Sequence, residues 1–408
     1  MHKNLQKSTT HINLLVFMIL VTLCPASPLF ADQRVTVIKG GELYTITSGI
    51  IKNGTIIIED GKISRIGQNI ETPKDAKVIN AGGKVVMPGL IAATAQVGMA
   101  GSDNQIAESL DPFHYSVSFA LASGITSIYI SRGGSSTAVI KPTYGDLDNM
   151  LLKESVSQNI SFRSWMDKTN LRQNLGKARE YLQKLDEYTR TNNQKKLQDL
   201  KKPSGLDTYI RLLKKEISAR LQATTTAELL GIVELIDEFD IRVIIEDAVE
   251  AWVVAEEIAK HDIRLVITPR DKRRPNELIS APSGSTLENA AILKKAGVKF
   301  AIVPTSPSFA TWGVAGRDLM ALPMEAAFAV SGGLDEQTAL EAITINAADI
   351  IGVADRVGSL QAGKDADILI LDGHPFHHKT FVETTLVNGK VLYEKSKSPY
   401  FSHITHKD

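Results

Sequence analysis

Cysteine is almost absent from this sequence of 408 residues, and the single one, Cys24, lies near the amino terminus. Around it are a basic start at Lys3 and Lys7, an apolar run over residues 12–23, and the stretch Pro25-Ala26-Ser27-Pro28-Leu29-Phe30-Ala31. This layout predicts a secretory signal peptide over residues 1–31, cleaved after Ala31. We then expect the remaining chain to have no disulfide, no thiol nucleophile and no cysteine-bound zinc.

The apolar run at residues 12–23 is also shorter than the roughly 20 residues that a membrane-spanning helix needs. We therefore expect an exported protein, periplasmic or secreted, with no stable membrane span after cleavage; an uncleaved anchor is the alternative. An excess of positive charge is lacking as well, because 46 Lys and Arg residues balance 46 Asp and Glu residues. This balance argues against a nucleic-acid partner, which requires a basic surface.

Short strand patterns occupy both ends of the rest of the chain. In residues 33–87, Asp60-Gly61 separates two such patterns and supplies the positive φ angles of a tight type I′ turn. In residues 356–396, Asn388-Gly389 does the same for a second hairpin. Because each group is too small to be stable alone, we predict that the two groups pair into one small β-sandwich domain.

Between these ends, residues 88–355 alternate strand patterns with helix patterns, most clearly around strands at 242–246, 264–267 and 299–303. Repeated units of this kind predict a parallel sheet covered by helices, and about 260 residues suit a closed (β/α)8 barrel. The predicted fold class is therefore α/β: a (β/α)8 TIM-type barrel with the small β-sandwich domain built from both chain ends.

Two segments of the barrel region carry separate predictions. Residues 170–205 form an insertion, with an amphipathic helix over 176–188 and then a loose, lysine-rich surface loop. The insertion is a solvated excursion, a lid or a partner-docking arm. Residues 335–351 have the period of one continuous helix with Asp335 as its N-cap.

Four motifs resemble the amidohydrolase superfamily, and most closely its secreted imidazolonepropionase-like branch. They spread over nearly the whole chain after residue 31: Met87-Pro88-Gly89-Leu90-Ile91, Ala138-Val139-Ile140-Lys141, Ala342-Ile343-Thr344-Ile345-Asn346-Ala347-Ala348, and Gly358-Ser359-Leu360 through Asp367. The resemblance implies a distorted barrel with one or two divalent metal ions at the C-terminal ends of its strands. An activated water there would hydrolyse amide-like or cyclic C–N bonds.

The resemblance also assigns metal-site positions, and this sequence departs from the family at nearly all of them. Where the family has Asp-x-His-x-His, this chain has Ala92, Thr94 and Gln96; a later His-x-His pair corresponds to Gln222 and Thr224. The histidine of a Glu-His-Gly strand end corresponds to Asp247, and the last catalytic aspartate to Thr305. The bridging residue of the middle strand has no assignable counterpart. We predict a degenerate, mostly uncharged pocket lined by Thr94, Gln96, Gln222, Thr224, Asp247 and Thr305.

Two functions follow from these positions. In the first, the protein has lost metal-dependent hydrolysis, holds no cofactor, and binds a small molecule or assembles with itself or an active amidohydrolase paralogue. Amide and hydroxyl oxygens are weak ligands for zinc, so of the assigned positions only Asp247 keeps a strong metal donor. In the second, the protein is a divergent hydrolase of C–N bonds, with one zinc or other divalent ion, or with none.

Overall fold

The computed structural model describes residues 35–100, 105–132, 136–278, 280–309 and 316–404. Strands from both chain ends form one eight-stranded sheet in the order β17-β16-β15-β5-β1-β2-β3, with β4 paired to β1. These strands are β1 Thr36–Tyr44, β2 Ile50–Glu59, β3 Lys62–Gly67, β4 Lys77–Asn80, β5 Val85–Pro88, β15 Ile368–Leu371, β16 Val382–Val387 and β17 Lys390–Glu394.

Local turn chemistry explains the hairpins of this sheet. Asp60 and Gly61 have φ angles of 50° and 75° between β2 and β3, as the type I′ prediction requires. Asn388 and Gly389, at 49° and 73°, turn the chain between β16 and β17. The two chain ends meet where β5 pairs antiparallel with β15, in the register Met87 opposite Leu369.

The strands between these ends form two further sheets, which carry the candidate site. A four-stranded sheet has the order β6-β7-β8-β9, and a five-stranded parallel sheet has the order β10-β11-β12-β13-β14. Their bounds are β6 Leu90–Ala92, β7 Ile125–Arg132, β8 Ser136–Ile140, β9 Leu151–Glu154, β10 Ser157–Asn159, β11 Ser218–Gln222, β12 Val243–Glu246, β13 Arg264–Ile267 and β14 Phe300–Ile302.

Helices connect and cover these strands. The α-helices are α1 Ile106–Ser109, α2 Tyr115–Ala122, α3 Trp165–Arg190, α4 Gln194–Asp199, α5 Asp207–Leu213, α6 Thr226–Phe239, α7 Ala255–Lys260, α8 Asn289–Lys295, α9 Leu322–Ser331, α10 Glu336–Ala342 and α11 Ile345–Ile350. Short 3₁₀ turns lie at Ala251–Val253, Leu319–Ala321 and Lys395–Lys397. No helix in these described ranges is long and apolar enough to span a membrane.

Strand–helix alternation is confirmed in the five-stranded sheet but not in the four-stranded one. From β11 to β14 every neighbouring pair is parallel, with α6, α7 and α8 in the connections. In contrast, β7 pairs antiparallel with β8, and β8 antiparallel with β9. The strands β7, β8 and β9 are therefore antiparallel neighbours, and such strands need no crossover helix between them.

Three helix predictions need correction. The helix of the insertion begins at Trp165 rather than residue 176, because Ser164 and Asp167 form a reciprocal capping box. The segment predicted as a loose loop contains α4, capped by the Asn193 side chain. The predicted continuous helix over residues 335–351 is split into α10 and α11.

The core connects β6 to elements distant in sequence. The backbone N–H of Ile91 donates to the carbonyl of Ile343, and that of Ala95 donates to Tyr129, both at 2.9 Å. The N–H of Gln96 donates to the carbonyl of Pro307 at 2.7 Å. Thr94, between these contacts, is thereby held among the ends of the surrounding strands.

Candidate functional site

The candidate site lies where β6, β11 and β12 end. Gln222 is the last residue of β11 and pairs in register with Glu246, the last residue of β12. Thr94 lies just beyond β6, and its hydroxyl donates to Glu246 Oε1 at 2.6 Å. Because parallel strands end at the same edge of a sheet, these side chains come together from positions more than 100 residues apart.

A buried arginine, Arg220, ties these three strand ends together. Its Nε donates to Glu246 Oε1 at 2.8 Å, and its Nη2 donates to the carbonyl of Ala93 at 2.6 Å and to Thr94 Oγ1 at 3.1 Å. Its Nη1 is buried and has no hydrogen-bond partner among the described residues. The guanidinium thus brings a positive charge and a spare donor to the centre of the site.

The ring of Tyr129 on β7 stacks against the guanidinium of Arg220. The carbon at the centre of the Arg220 guanidinium lies 3.8 Å from the centre of the tyrosine ring, within the range of a cation–π interaction. The tyrosine hydroxyl lies 2.8 Å from Ser157 Oγ and donates to Asn159 Oδ1 at 3.0 Å. Stacking and the fixed hydroxyl together restrict the orientation of Arg220.

A second chain of polar contacts runs along the rim. Arg163 donates to Gln222 Oε1, and Gln222 Nε2 donates to Asp247 Oδ2. Asp247 follows β12 with a φ of 57°, a left-handed conformation that is uncommon outside glycine. Burial raises the pKa of the Asp247 carboxyl, and the negative charges of Glu246 and Asp271 raise it further. The hydrogen bond from Gln222 lowers the pKa but does not cancel the rise.

The structure joins three of the six sequence-predicted positions to this network: Thr94, Gln222 and Asp247. The side chains of Gln96 and Thr305 are exposed. Thr224 is partly buried, and its backbone bonds to residues outside this network. Its N–H donates to Glu228 Oε2 at 2.8 Å, and its carbonyl accepts from the backbone N–H of Glu250. No hydrogen bond between described residues joins the side chains of these last three to the other positions.

Sequence reasoning missed Arg220, Tyr129 and the role of Glu246. The strand pattern contained one usable signal: Arg220 precedes Gln222 by two residues and is flanked by Ala219 and Leu221. Alternate residues of a strand share a face, so a site residue at Gln222 implies that Arg220 faces the same interior. An arginine in that position needs an acceptor, and Glu246 supplies it.

The residues at this site do not fit a divalent metal ion. Among the described residues, no group of three or more His, Cys, Asp or Glu side chains is placed to hold one. The Glu246 oxygen that faces Thr94 is already occupied by the Thr94 hydroxyl and by the Arg220 guanidinium. A fixed positive charge at the shared carboxylate repels a second cation, and the neighbouring hydroxyl and amide oxygens are weak ligands for zinc.

Comparison with known sequences finds partial matches. A family model described as "Amidohydrolase family" matches residues 209–392. An imidazolonepropionase from Vibrio cholerae serotype O1 is 37% identical over 121 residues, which are 29% of this chain and 29% of that protein. A 5'-deoxyadenosine deaminase from Methanosarcina acetivorans is 42% identical over 82 residues, 18% of this chain and 19% of that protein. The chain thus matches less than a third of the length of these relatives.

Comparison with solved structures covers more of the chain. An amidohydrolase from Thermotoga maritima MSB8 superposes with a TM-score of 0.70 and 25% identity, over 88% of this chain and 100% of that one. A beta-aspartyl dipeptidase from Fervidobacterium islandicum AW-1 superposes with a TM-score of 0.55 at 14% identity, over 88% and 97% of the two chains. The second likeness is one of fold alone.

Proposed function

We propose that this chain, which belongs to the amidohydrolase superfamily, has lost metal-dependent hydrolysis and binds a small polar molecule at its strand ends. One observation carries the proposal: both carboxylates of the site already accept hydrogen bonds from the chain itself. Glu246 accepts from Thr94 and Arg220, and Asp247 accepts from Gln222. A catalytic zinc needs about three strong protein ligands and an open position for water, and this donor set does not supply them.

The remaining polar groups favour recognition by hydrogen bonds. Gln96 and Thr305 are exposed at the ends of their strands, and Thr224 is partly exposed beside Gln222. Amide and hydroxyl groups both donate and accept, so they suit an uncharged polar ligand or the polar part of a larger one. The ligand class that we expect is a small molecule with amide or hydroxyl groups.

Export and assembly are further parts of the proposal. The layout of residues 1–31 supports export to the periplasm or the medium, and the balanced charge of the chain argues against a nucleic-acid partner. Assembly with a second copy or with an active amidohydrolase paralogue is supported by the start of α3. Trp165 and Met166 there have 74% and 55% of their surface exposed, and aromatic and Met side chains are enriched at protein interfaces.

A second candidate is a hydrolase of C–N bonds that uses Asp247 without a metal. The raised pKa of Asp247 favours this candidate, because a general acid or base works best when its pKa approaches the working pH. Against it, the Asp247 carboxylate already accepts a hydrogen bond from Gln222. We therefore rank it second.

Metal analysis combined with a binding screen tests the proposal. We expect the purified protein to contain no stoichiometric zinc, manganese or iron and to leave amides, cyclic amides and dipeptides intact. A thermal-shift screen of the same compounds should find one stabilising class, and Gln222→Leu should abolish the shift. Gln194→Leu, the same change on the exposed helix α4, is the matched control. Stoichiometric metal that is lost in Asp247→Ala, together with hydrolysis, contradicts the proposal.

A further inference from the structure

We infer that Arg220 is a built-in cation that takes over the structural role of a metal ion in joining the strand ends. This inference rests on the proposed loss of metal-dependent hydrolysis and adds a physical reason for it. The assigned positions explain only that metal ligands are missing. Arg220 explains what holds the polar groups of the site together in the absence of those ligands.

The geometry of the guanidinium carries the inference. A metal at the mouth of a barrel connects strands because its ligands come from several of them. Arg220 of β11 makes the same kind of connection, reaching Glu246 of β12 at 2.8 Å and the Ala93 carbonyl beyond β6 at 2.6 Å. The side chain of Arg220 is 1% exposed, so these contacts are made away from water.

Electrostatics give the arrangement a consequence for metal binding. Glu246 is 25% exposed and is the only acidic side chain in direct contact with Arg220 among the described residues. The ion pair cancels the charge that would attract a divalent cation, and the guanidinium occupies the space beside the shared oxygen. Removal of Arg220 would leave three oxygen atoms close together: those of Glu246, Thr94 and Ala93. Carboxylate, hydroxyl and carbonyl oxygens suit a hard ion such as Mn²⁺.

Arg220→Met in the full chain tests the inference, with thermal midpoint and bound metal as measurements. We expect the variant to melt about 5 °C or more below the parent in EDTA, since Glu246 loses its charged partner. Added Mn²⁺ should raise the midpoint of Arg220→Met and bind in stoichiometric amount, while it leaves the parent unchanged. The double variant Arg220→Met/Glu246→Gln should regain stability in EDTA and show no response to Mn²⁺.

Arg220→Lys covers the case in which Arg220→Met does not fold. Lysine keeps the charge but lacks the fork that reaches two strands at once, so this variant should melt below the parent and still ignore Mn²⁺. The inference is overturned if Arg220→Met melts like the parent, if Mn²⁺ stabilises the parent and Arg220→Met equally, or if Arg220→Lys responds to Mn²⁺. If the parent is metal-free and inactive but Arg220→Met does not respond to Mn²⁺, only this inference is contradicted. If the parent binds metal and is active, the proposed function is contradicted as well.

Discussion

Two buried cations, Lys141 and Arg220, are equally hidden from water but differ in how fully they are bonded. Each side chain is 1% exposed. The ammonium of Lys141 has three N–H donors, and each has an acceptor oxygen. These are Asp365 Oδ2 at 2.8 Å, Asp367 Oδ1 at 3.0 Å and Asn388 Oδ1 at 2.6 Å. Arg220 has five N–H donors, and the two on Nη1 have no partner among the described residues.

One aspartate from each region, Asp365 and Asp247, differs in the same way, whereas burial raises the pKa of Asp367, the second aspartate bonded to Lys141. Asp365 is buried, which raises its pKa, but hydrogen bonds and charges from Lys141, Lys62 and Arg356 outweigh burial and lower the pKa to about 2. At the strand ends, burial raises the pKa of Asp247 and no cation overcomes it. The Lys141 cluster joins the end of β8 to the eight-stranded sheet, and all three of the lysine's N–H donors are used. The Arg220 cluster is partly exposed at Glu246, which is 25% exposed, as the proposed binding of a small molecule requires.

Lys141→Met should break the Lys141 cluster and have the largest effect. It leaves Asp365 and Asp367 buried without their central cation, which costs about 3–5 kcal/mol of the free energy of unfolding. Urea denaturation measures the loss. The matched control is Lys62→Met, which removes a 53% exposed lysine from the same Asp365 and should cost no more than about 1 kcal/mol. Equal losses in both variants would show that burial of Lys141 contributes nothing.

Two changes at Tyr129 should separate stacking from hydrogen bonding in the Arg220 cluster. Tyr129→Phe keeps the ring under Arg220 but loses the hydroxyl bonded to Ser157 and Asn159, at a cost of about 1 kcal/mol. Tyr129→Leu also loses the ring and should cost about 2–4 kcal/mol. Urea denaturation and the ligand-induced thermal shift measure both. If the leucine variant is as stable as the phenylalanine variant, Arg220 does not depend on the ring.

The parts of the fold that could be predicted from the sequence are those set by local chemistry or by chain-end motifs. Asp60-Gly61 and Asn388-Gly389 fix their hairpins because their backbone conformations are short-range properties. The helix break at Thr344 could not be predicted, because the carbonyl of Ile343 accepts from Ile91 on β6, more than 200 residues earlier. Helical period alone contains no information about such a competing partner.

The site was predictable where a motif assigns a position and not where a contact depends on the register of neighbouring strands. Thr94, Gln222 and Asp247 were assigned through the resemblance to the amidohydrolase superfamily. Arg220 has no counterpart among the assigned metal positions, and its acceptor Glu246 is identified only once the register of β11 against β12 is known. The resemblance thus predicts positions at this site, but not the arginine that bonds to Glu246 and Thr94.

Asp247→Asn should produce the smallest effect, a change in the pH dependence of stability. Because the pKa of Asp247 is raised in the folded state, the folded protein binds its proton more tightly than the unfolded chain does. The stability that this proton contributes is complete below the unfolded pKa of about 3.9 and is lost as pH rises through the folded pKa. The free energy of unfolding of the parent relative to Asp247→Asn should therefore fall as pH rises from about 4, measured by urea denaturation.

Asp271→Asn removes one of the negative charges that raise the pKa of Asp247, so it should make the fall smaller. A difference between parent and Asp247→Asn that rises with pH would mean that Asp247 is held ionised like Asp365, and the contrast between the two clusters would disappear.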